Sequence, residues 1–459
     1  MKPGLTCLLA AAVFGCGGPD PVAPPPPPEA TSLTVTPLQA IVTGGERVTA
    51  TAVARTAQGT VTAVTIDWRS SDPLVATVTA TGTITAVGNG TATMTASIGS
   101  LTATLEFRVA PPGLSRIVDS VRRAYQLPAM GGAIITSTGT EALAVAGTRR
   151  ADRGPAVTVD DKWHIGSNLK AVTAALAATV VDQGVLSWST TIGTAFPDLA
   201  ATIRPEYRDV TLGDLLSHRG GIRNDPPESA FGGTTAAAQR RSLTAWALAE
   251  APVGPVGTYS YSNVGYVLAA AMVEGAANGV YEDLLAVRLL QPLGVTELGW
   301  GPQAAAAATD QPVAHSFQNG GWVPCEGCDS RPGYSAAGRA HLPLADWAKL
   351  IREFLAADAG VSTLIMPATG RELFTARVAF GGLDSYGLGW VLLRRGWAGG
   401  RAAAHEGSNK VNHSVAWLGL GRGIGFIAVT NAADLTTGRT GQALDALVGR
   451  MIVFHDTGK

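Results

Sequence analysis

At 459 residues the chain exceeds one ordinary domain, so two or three units are expected. Apolar residues make up 46% of it and charged residues only 15%, below the roughly 25% of an average globular protein. The formal net charge of −1 leaves no basic field to attract nucleic acid, which excludes that class of partner.

Residues 1–16 carry the pattern of a secretory signal. Lys2 supplies the positive start, Leu8 to Phe14 the apolar stretch, and Gly15 a small residue before Cys16. The apolar run is too short to span a bilayer. Val13-Phe14-Gly15-Cys16 resembles the bacterial lipoprotein box, in which the cysteine is diacylated and becomes the new N-terminus, although Phe14 is bulkier than is usual there. The alternative is an ordinary cleaved signal in which Cys16 is incidental. The resemblance implies an exported protein held at the cell envelope by its N-terminal lipid. Gly17 in place of Asp resembles lipoproteins sorted to an outer membrane, which leaves the rest of the chain periplasmic or on the surface. Residues 17–31, with the proline tract Pro21 to Pro28, read as an extended, semi-rigid spacer.

Residues 32–110 change character. Short alternating Thr/Val/Ala runs are divided by turn signals at Thr43-Gly44-Gly45, Ser71-Asp72-Pro73, Thr81-Gly82, Gly88-Asn89-Gly90 and Gly99. This period of two predicts a small β-sandwich with Trp68 in its core. Ser32-Leu33-Thr34-Val35-Thr36-Pro37, Trp68-Arg69-Ser70-Ser71-Asp72-Pro73, Val75-Ala76-Thr77-Val78, Gly82, Gly90-Thr91-Ala92 and Phe107-Arg108-Val109 resemble the group 2 bacterial immunoglobulin-like domain. The resemblance implies a spacer or an adhesive module, with cell-wall or surface-glycan contact as the partner class.

Pro111-Pro112-Gly113 ends that segment, and helix and strand signals mix over 114–456. Leu114, Ile117, Val118 and Val121 are spaced for an amphipathic helix over 114–126. Gly131 to Thr136 and Glu141 to Gly147 read as a hairpin, and roughly 170–350 as mostly helical. His413 to Leu418 and Ile424 to Thr430 read as two strands joined by a Gly-rich turn, and Gly441 to Phe454 as a closing helix. Strands at both ends with helices inserted between them indicate an α+β fold.

Three short motifs in this region carry chemistry. Ser167-Asn168-Leu169-Lys170 opens a helix marked by Leu169, Val172, Leu176 and Val180 and closed at Gly184. A serine in its first turn gains a helix N-terminus for a developing oxyanion, and Lys170, three residues on, lies on the same face. Tyr261-Ser262-Asn263 follows. A phenol near a lysine can have its pKa lowered and act as base toward Ser167, and Asn263 can hold both Lys170 and a substrate amide. The third is His405-Glu406-Gly407-Ser408, just before the predicted strand pair. Gly407 would let a substrate lie against a strand edge, the Ser408 amide would pair with the Ser167 amide as oxyanion donor, and His405 would orient or protonate the leaving group. Each motif alone also fits an ordinary helix cap or strand edge; the ordered set points to acyl transfer.

The set resembles the penicillin-recognising serine hydrolases, the superfamily of class C β-lactamases and D,D-peptidases, over about 114–455. Leu215-Leu216-Ser217-His218-Arg219-Gly220-Gly221-Ile222, Pro255-Val256-Gly257-Thr258, Leu290-Gln291-Pro292-Leu293-Gly294-Val295 and Tyr386-Gly387-Leu388-Gly389-Trp390 extend it. The resemblance implies an antiparallel sheet with flanking terminal helices, a helical subdomain, and a site between them. It implies acylation of Ser167 and proton transfer by Lys170 and Tyr261; no metal or cofactor is expected, since the seven histidines show no metal-ligand spacing. One departure matters: dedicated penicillin-resistance enzymes carry Lys-Thr-Gly where this chain has His405-Glu406-Gly407. Histidine is only partly charged near neutrality and Glu406 adds a negative field, so binding of anionic β-lactams is expected to weaken. An esterase or peptidase acting on an ester or amide in a small molecule or peptide is therefore favoured over a true β-lactamase or D,D-carboxypeptidase.

Other signals carry less. Cys325-x-x-Cys328 has no second pair for a zinc site and sits in a Gly/Pro-rich loop, so a local loop disulfide is expected. Gly419 to Gly425 fits no dinucleotide register and reads as a hairpin turn. His218 is expected to support the loop that carries it, and 223–235 to line the site. A non-catalytic binding protein that keeps the fold, or an adhesin in which the immunoglobulin-like module dominates, are the alternatives.

Overall fold

The computed structural model describes residues 30–457 apart from 38, 44–46, 58, 62–63, 88–89, 111–112 and 383. The signal, Cys16, the proline tract, the turns at Gly44-Gly45 and Gly88-Asn89, and Pro111-Pro112 lie outside the described residues. The chain divides into two units, 1–111 and 112–459.

The first unit is all β. Its central sheet pairs Asp67–Ser70, Gly90–Ile98, Leu101–Ala110 and Gln39–Thr43, the last of these running parallel to Leu101–Ala110. Two three-stranded sheets accompany it. The alternation read in the sequence puts Val35, Ile84, Met94, Leu105 and Phe107 inside, and Trp68 packs partly buried against them.

The second unit is built on an eight-stranded antiparallel sheet. Its strands in chain order are β1 (Ala129–Thr136), β2 (Gly139–Gly147), β3 (Val378–Gly381), β4 (Asp384–Tyr386), β5 (Val391–Leu393), β6 (Ala402–Ser408), β7 (His413–Gly419) and β8 (Ile424–Thr430). Their spatial order is β2-β1-β8-β7-β6-β5-β4-β3, which closes the two chain ends of the unit against each other. Alternation along β1 and β8 serves two cores. Met130, Ile134 and Phe426 meet the terminal helices α1 (Leu114–Ala124) and α5 (Arg439–Thr457). Ala133, Ile135, Ile427 and Val429 face the larger core. That core includes α2 (Leu169–Asp182), α3 (Asn263–Ala277) and α4 (Leu344–Ala359). Helix α2 is buried from Leu169 to Val180, so it is apolar nearly all round rather than on one stripe.

His405-Glu406-Gly407 directly precedes the expected strand pair, now β7 and β8, and itself lies within β6, whose pairing with β7 runs from Ala402 to Ser408. The short strands β3 to β5 were not visible as alternation. Cys325 is not in a loop: it ends the strand Gly321–Cys325 of a hairpin with Ala314–Gln318, and it is disulfide-bonded to Cys328.

Candidate active site

The site forms where the start of α2, the start of α3 and strand β6 meet. Ser167 sits in a single 3-10 turn, Gly166–Asn168, that runs directly into α2. Two glycines let this turn lie backbone to backbone on β6. Gly166 has φ of +51°, and a Cβ there would stand 2.5 Å from Ser408 N; a Cβ on Gly407 would stand 2.8 Å from Ser167 N and collide with the Ile165 carbonyl. The amides of Ser167 and Ser408 are thereby brought side by side. Gly407 was expected to make room for substrate; it makes room for the Ser167 turn. Asn168 and Ser414, unassigned from sequence, pin the turn: Asn168 Nδ2 donates to Ser414 Oγ at 3.0 Å, and Ser414 Oγ donates to Ile165 O at 2.8 Å.

Lys170 is fully buried. Its Nζ lies 2.9 Å from Ser167 Oγ, 2.7 Å from Asn263 Oδ1 and 2.6 Å from Ala337 O. Burial pushes its pKa well below the usual lysine value. The two carbonyl oxygens can only accept, so in the neutral amine they would take its two N–H bonds and leave its lone pair toward Ser167 Oγ–H. Tyr261 Oη donates to the same Ser167 Oγ at 2.8 Å. Desolvation raises its phenol pKa, more than the Ser167 hydrogen bond lowers it. The expected lowering of the phenol is therefore reversed: Tyr261 is held protonated, and burial favours the neutral form of Lys170, the form that can act as base. A small polar cleft of about 80 Å³ opens over Ser167, lined by Asn263, Ser330, Tyr334, Gly338, Ser408 and Asn409.

A β-lactamase family model matches residues 114–450. The chain belongs to the β-lactamase family of serine hydrolases. A model of the group 2 bacterial Ig-like domain matches residues 29–107. Penicillin-binding protein 4 of Amycolatopsis lactamdurans is 28% identical over 331 residues, covering 70% of this chain and 84% of that protein. The unguisins hydrolase ungD′ of Aspergillus campestris is 24% identical, covering 65% of this chain and 56% of its own length. Among solved structures, the D-amino acid amidase of Ochrobactrum anthropi SV3 superposes with a TM-score of 0.60 at 19% identity, over 75% of this chain and 98% of that one.

Within this family fold the third motif behaves differently from the sequence expectation. His405 is buried; its Nδ1 donates to the Glu406 carbonyl at 2.7 Å, which leaves Nε2 to accept from Tyr386 Oη at 3.0 Å. Burial lowers its pKa to about 3. Both ring nitrogens are engaged and the ring is neutral, so His405 is not a proton donor to a leaving group. Glu406 faces the other way, as strand alternation requires, and its carboxylate bonds His413 Nε2. That bond holds it below the usual glutamate range, so it is anionic.

His218 has φ of +59° and accepts Ser262 N–H on Nδ1 at 3.1 Å, with its ring 4.3 Å from that of Tyr261. It holds the Tyr261 loop rather than only its own. From the 223–235 segment, Asn224 Oδ1 accepts Asn263 N–H at 2.7 Å. Ser262 caps α3, its Oγ accepting Gly265 N–H at 3.0 Å. One further pair carried no signal in the sequence. Buried His164 accepts Gly166 N–H on Nδ1 at 3.1 Å, and its Nε2 lies 3.2 Å from Asp329 Oδ2. Asp329 Oδ1 takes a bond from Asn409 Nδ2 at 3.2 Å. Asp329 directly follows the Cys325–Cys328 bridge. Among the described residues no group of side chains is placed to hold a metal ion.

Proposed function

We propose that the protein hydrolyses an ester or amide through an acyl-enzyme on Ser167, as an esterase or peptidase rather than a dedicated β-lactamase. One observation carries this: Ser167 Oγ is hydrogen-bonded at once by Lys170 Nζ and Tyr261 Oη, 2.9 and 2.8 Å away. Neutral Lys170 takes the Ser167 proton as Oγ attacks the substrate carbonyl carbon. The oxyanion that forms is met by the Ser167 and Ser408 amides. As the carbonyl re-forms, the bond to the leaving atom breaks, and that atom takes a proton from the Lys170–Tyr261 pair. Water then attacks the acyl-enzyme, gives its proton to the same pair, and restores Ser167 with release of the acid.

The anionic substrates of the β-lactamase and D,D-carboxypeptidase alternatives fit less well, because neutral His405 and anionic Glu406 stand in the third motif. The deciding experiment is parallel hydrolysis of p-nitrophenyl acetate, p-nitrophenyl butyrate, nitrocefin and a D-Ala-D-Ala peptide by wild type and Ser167→Ala. Ester turnover that vanishes in Ser167→Ala supports the reading; nitrocefin turnover at the rate of a dedicated β-lactamase overturns the choice of branch. We also propose export and lipid anchoring at Cys16, with the immunoglobulin-like unit as a spacer. The support is the Val13-Phe14-Gly15-Cys16 pattern, and labelled palmitate incorporated into wild type but not Cys16→Ser tests it.

A further inference from the structure

A second cavity, of about 410 Å³, adjoins the first at Ser408 and is lined by Tyr259, Tyr261, Tyr386, Glu406, Trp417 and Leu435 among others. It runs along the edge of β6 where pairing with β5 has stopped, opposite Ala404. Its walls are mainly aromatic and aliphatic, and two of the residues lining it, Tyr261 and Leu435, are 37% and 53% exposed. Isolated apolar side chains on a surface need no explanation, but a concave aromatic wall beside a nucleophile does.

Two features assign its occupant. Tyr261, part of the pair that returns the serine proton, lines this cavity and not the small polar one. The leaving atom must be close to that proton, so the leaving group extends into this cavity. Glu406 is the one carboxylate among the lining residues, and no cation is among them. Arg395 lies nearby, with its guanidinium 5.7 Å from the Trp417 ring centroid, but outside the lining.

Resting on the serine-hydrolase reading above, we infer that this cavity is the leaving-group subsite, and that it selects a bulky apolar amine or alcohol that is cationic or neutral and bears no carboxylate. The aromatic walls take the apolar body, and the Glu406 carboxylate attracts an ammonium or repels an anion.

Three benzyl acetates of similar leaving-group basicity test it: unsubstituted, 4-aminomethyl and 4-carboxy. Expected kcat/KM is highest for the cationic ester and about tenfold lower for the anionic than for the neutral one. Glu406→Gln should compress the cationic-to-anionic ratio to about threefold or less, and Leu435→Lys, at an exposed position, should raise the carboxy ester selectively. A second readout does not need turnover: binding of phenethylamine and phenylpropionate to Ser167→Ala by calorimetry. The amine should bind more tightly, with the preference lost in Glu406→Gln. Equal affinities, or an anionic ester hydrolysed as fast as the neutral one, overturn the inference. Absence of Ser167-dependent turnover together with amine-selective binding would instead count against the hydrolase reading and leave the subsite standing.

Discussion

Asn263 Oδ1 and Lys170 Nζ lie 2.7 Å apart at the meeting point of two helices, and that contact fixes which way the lysine amine faces. With Ala337 O holding a second N–H, the remaining direction points at Ser167 Oγ. Asn263→Ala should therefore lower kcat/KM by about tenfold to a hundredfold with Ser167 still reactive, because the base is present but misdirected. Slower labelling by a fluorophosphonate probe, with unchanged melting temperature, would check it; labelling at the wild-type rate would show that the amide does not orient Lys170.

The pH dependence follows from Lys170. Its pKa is depressed by burial, and only the neutral amine accepts the serine proton. Activity is therefore low at acid pH, where Lys170 is protonated, and kcat/KM rises with pH to a plateau reached well below the ordinary lysine value. Lys170→Ala should lose about a thousandfold and should also lose this acid limb. His405, with its pKa already near 3, does not titrate in that range, so His405→Gln should keep the limb where it is. A limb that moves in His405→Gln would assign the base to the wrong residue.

How much of this was written in the chain differs by element. The Ser167, Tyr261 and His405 motifs are each local, and the strands β1, β7 and β8 are largely apolar, buried runs of seven or eight residues, so they were legible. Strands β3 to β5 have three or four residues each, too few for a period to register. The protonation states were not legible, because they depend on burial created by segments far apart. The phenol of Tyr261 was expected to fall toward Lys170's influence, yet desolvation raises it. The role of Gly407 was misread for the same reason: the Ile165 carbonyl that crowds it lies over 200 positions earlier in the sequence.

Gly407→Ala tests that crowding. A methyl group there meets the Ile165 carbonyl and the Ser167 amide, both backbone atoms that cannot rotate away. The Ser167 turn must shift from β6, which separates the paired amides. The expected result is a fall in kcat of about a hundredfold or more, comparable to removal of an oxyanion donor, with a smaller change in KM. An active Gly407→Ala enzyme would mean that the turn has slack the contacts do not show.

The His164–Asp329 pair makes a parallel prediction from outside the motifs. Through Gly166 it holds one side of the paired amides, and through Asn409 the residue next to Ser408 on the other. Asp329→Ala should lower kcat more than KM and weaken a boronic-acid analogue of the tetrahedral intermediate more than a non-covalent substrate mimic. Equal weakening of both ligands would reduce Asp329 to a structural support.

Acid stability gives the last test. His218, His315, His341 and His405 are all buried, and each has its pKa lowered mainly by desolvation, His341 to about 4 and His405 to about 3. In the unfolded chain these rings regain the ordinary value of about 6.5. A folded pKa below the unfolded one means that the unfolded state binds more protons between the two, so it gains as pH falls. Their contribution to stability is fully present above about pH 6.5 and is lost progressively from there down toward pH 3 to 4. Urea midpoints should hold steady between about pH 7 and 8 and drop by pH 5, with the loss reduced in His341→Gln, which removes one of these proton sinks. Midpoints that stay level down to pH 5 would mean that the rings already share protons with their neighbours in the folded state.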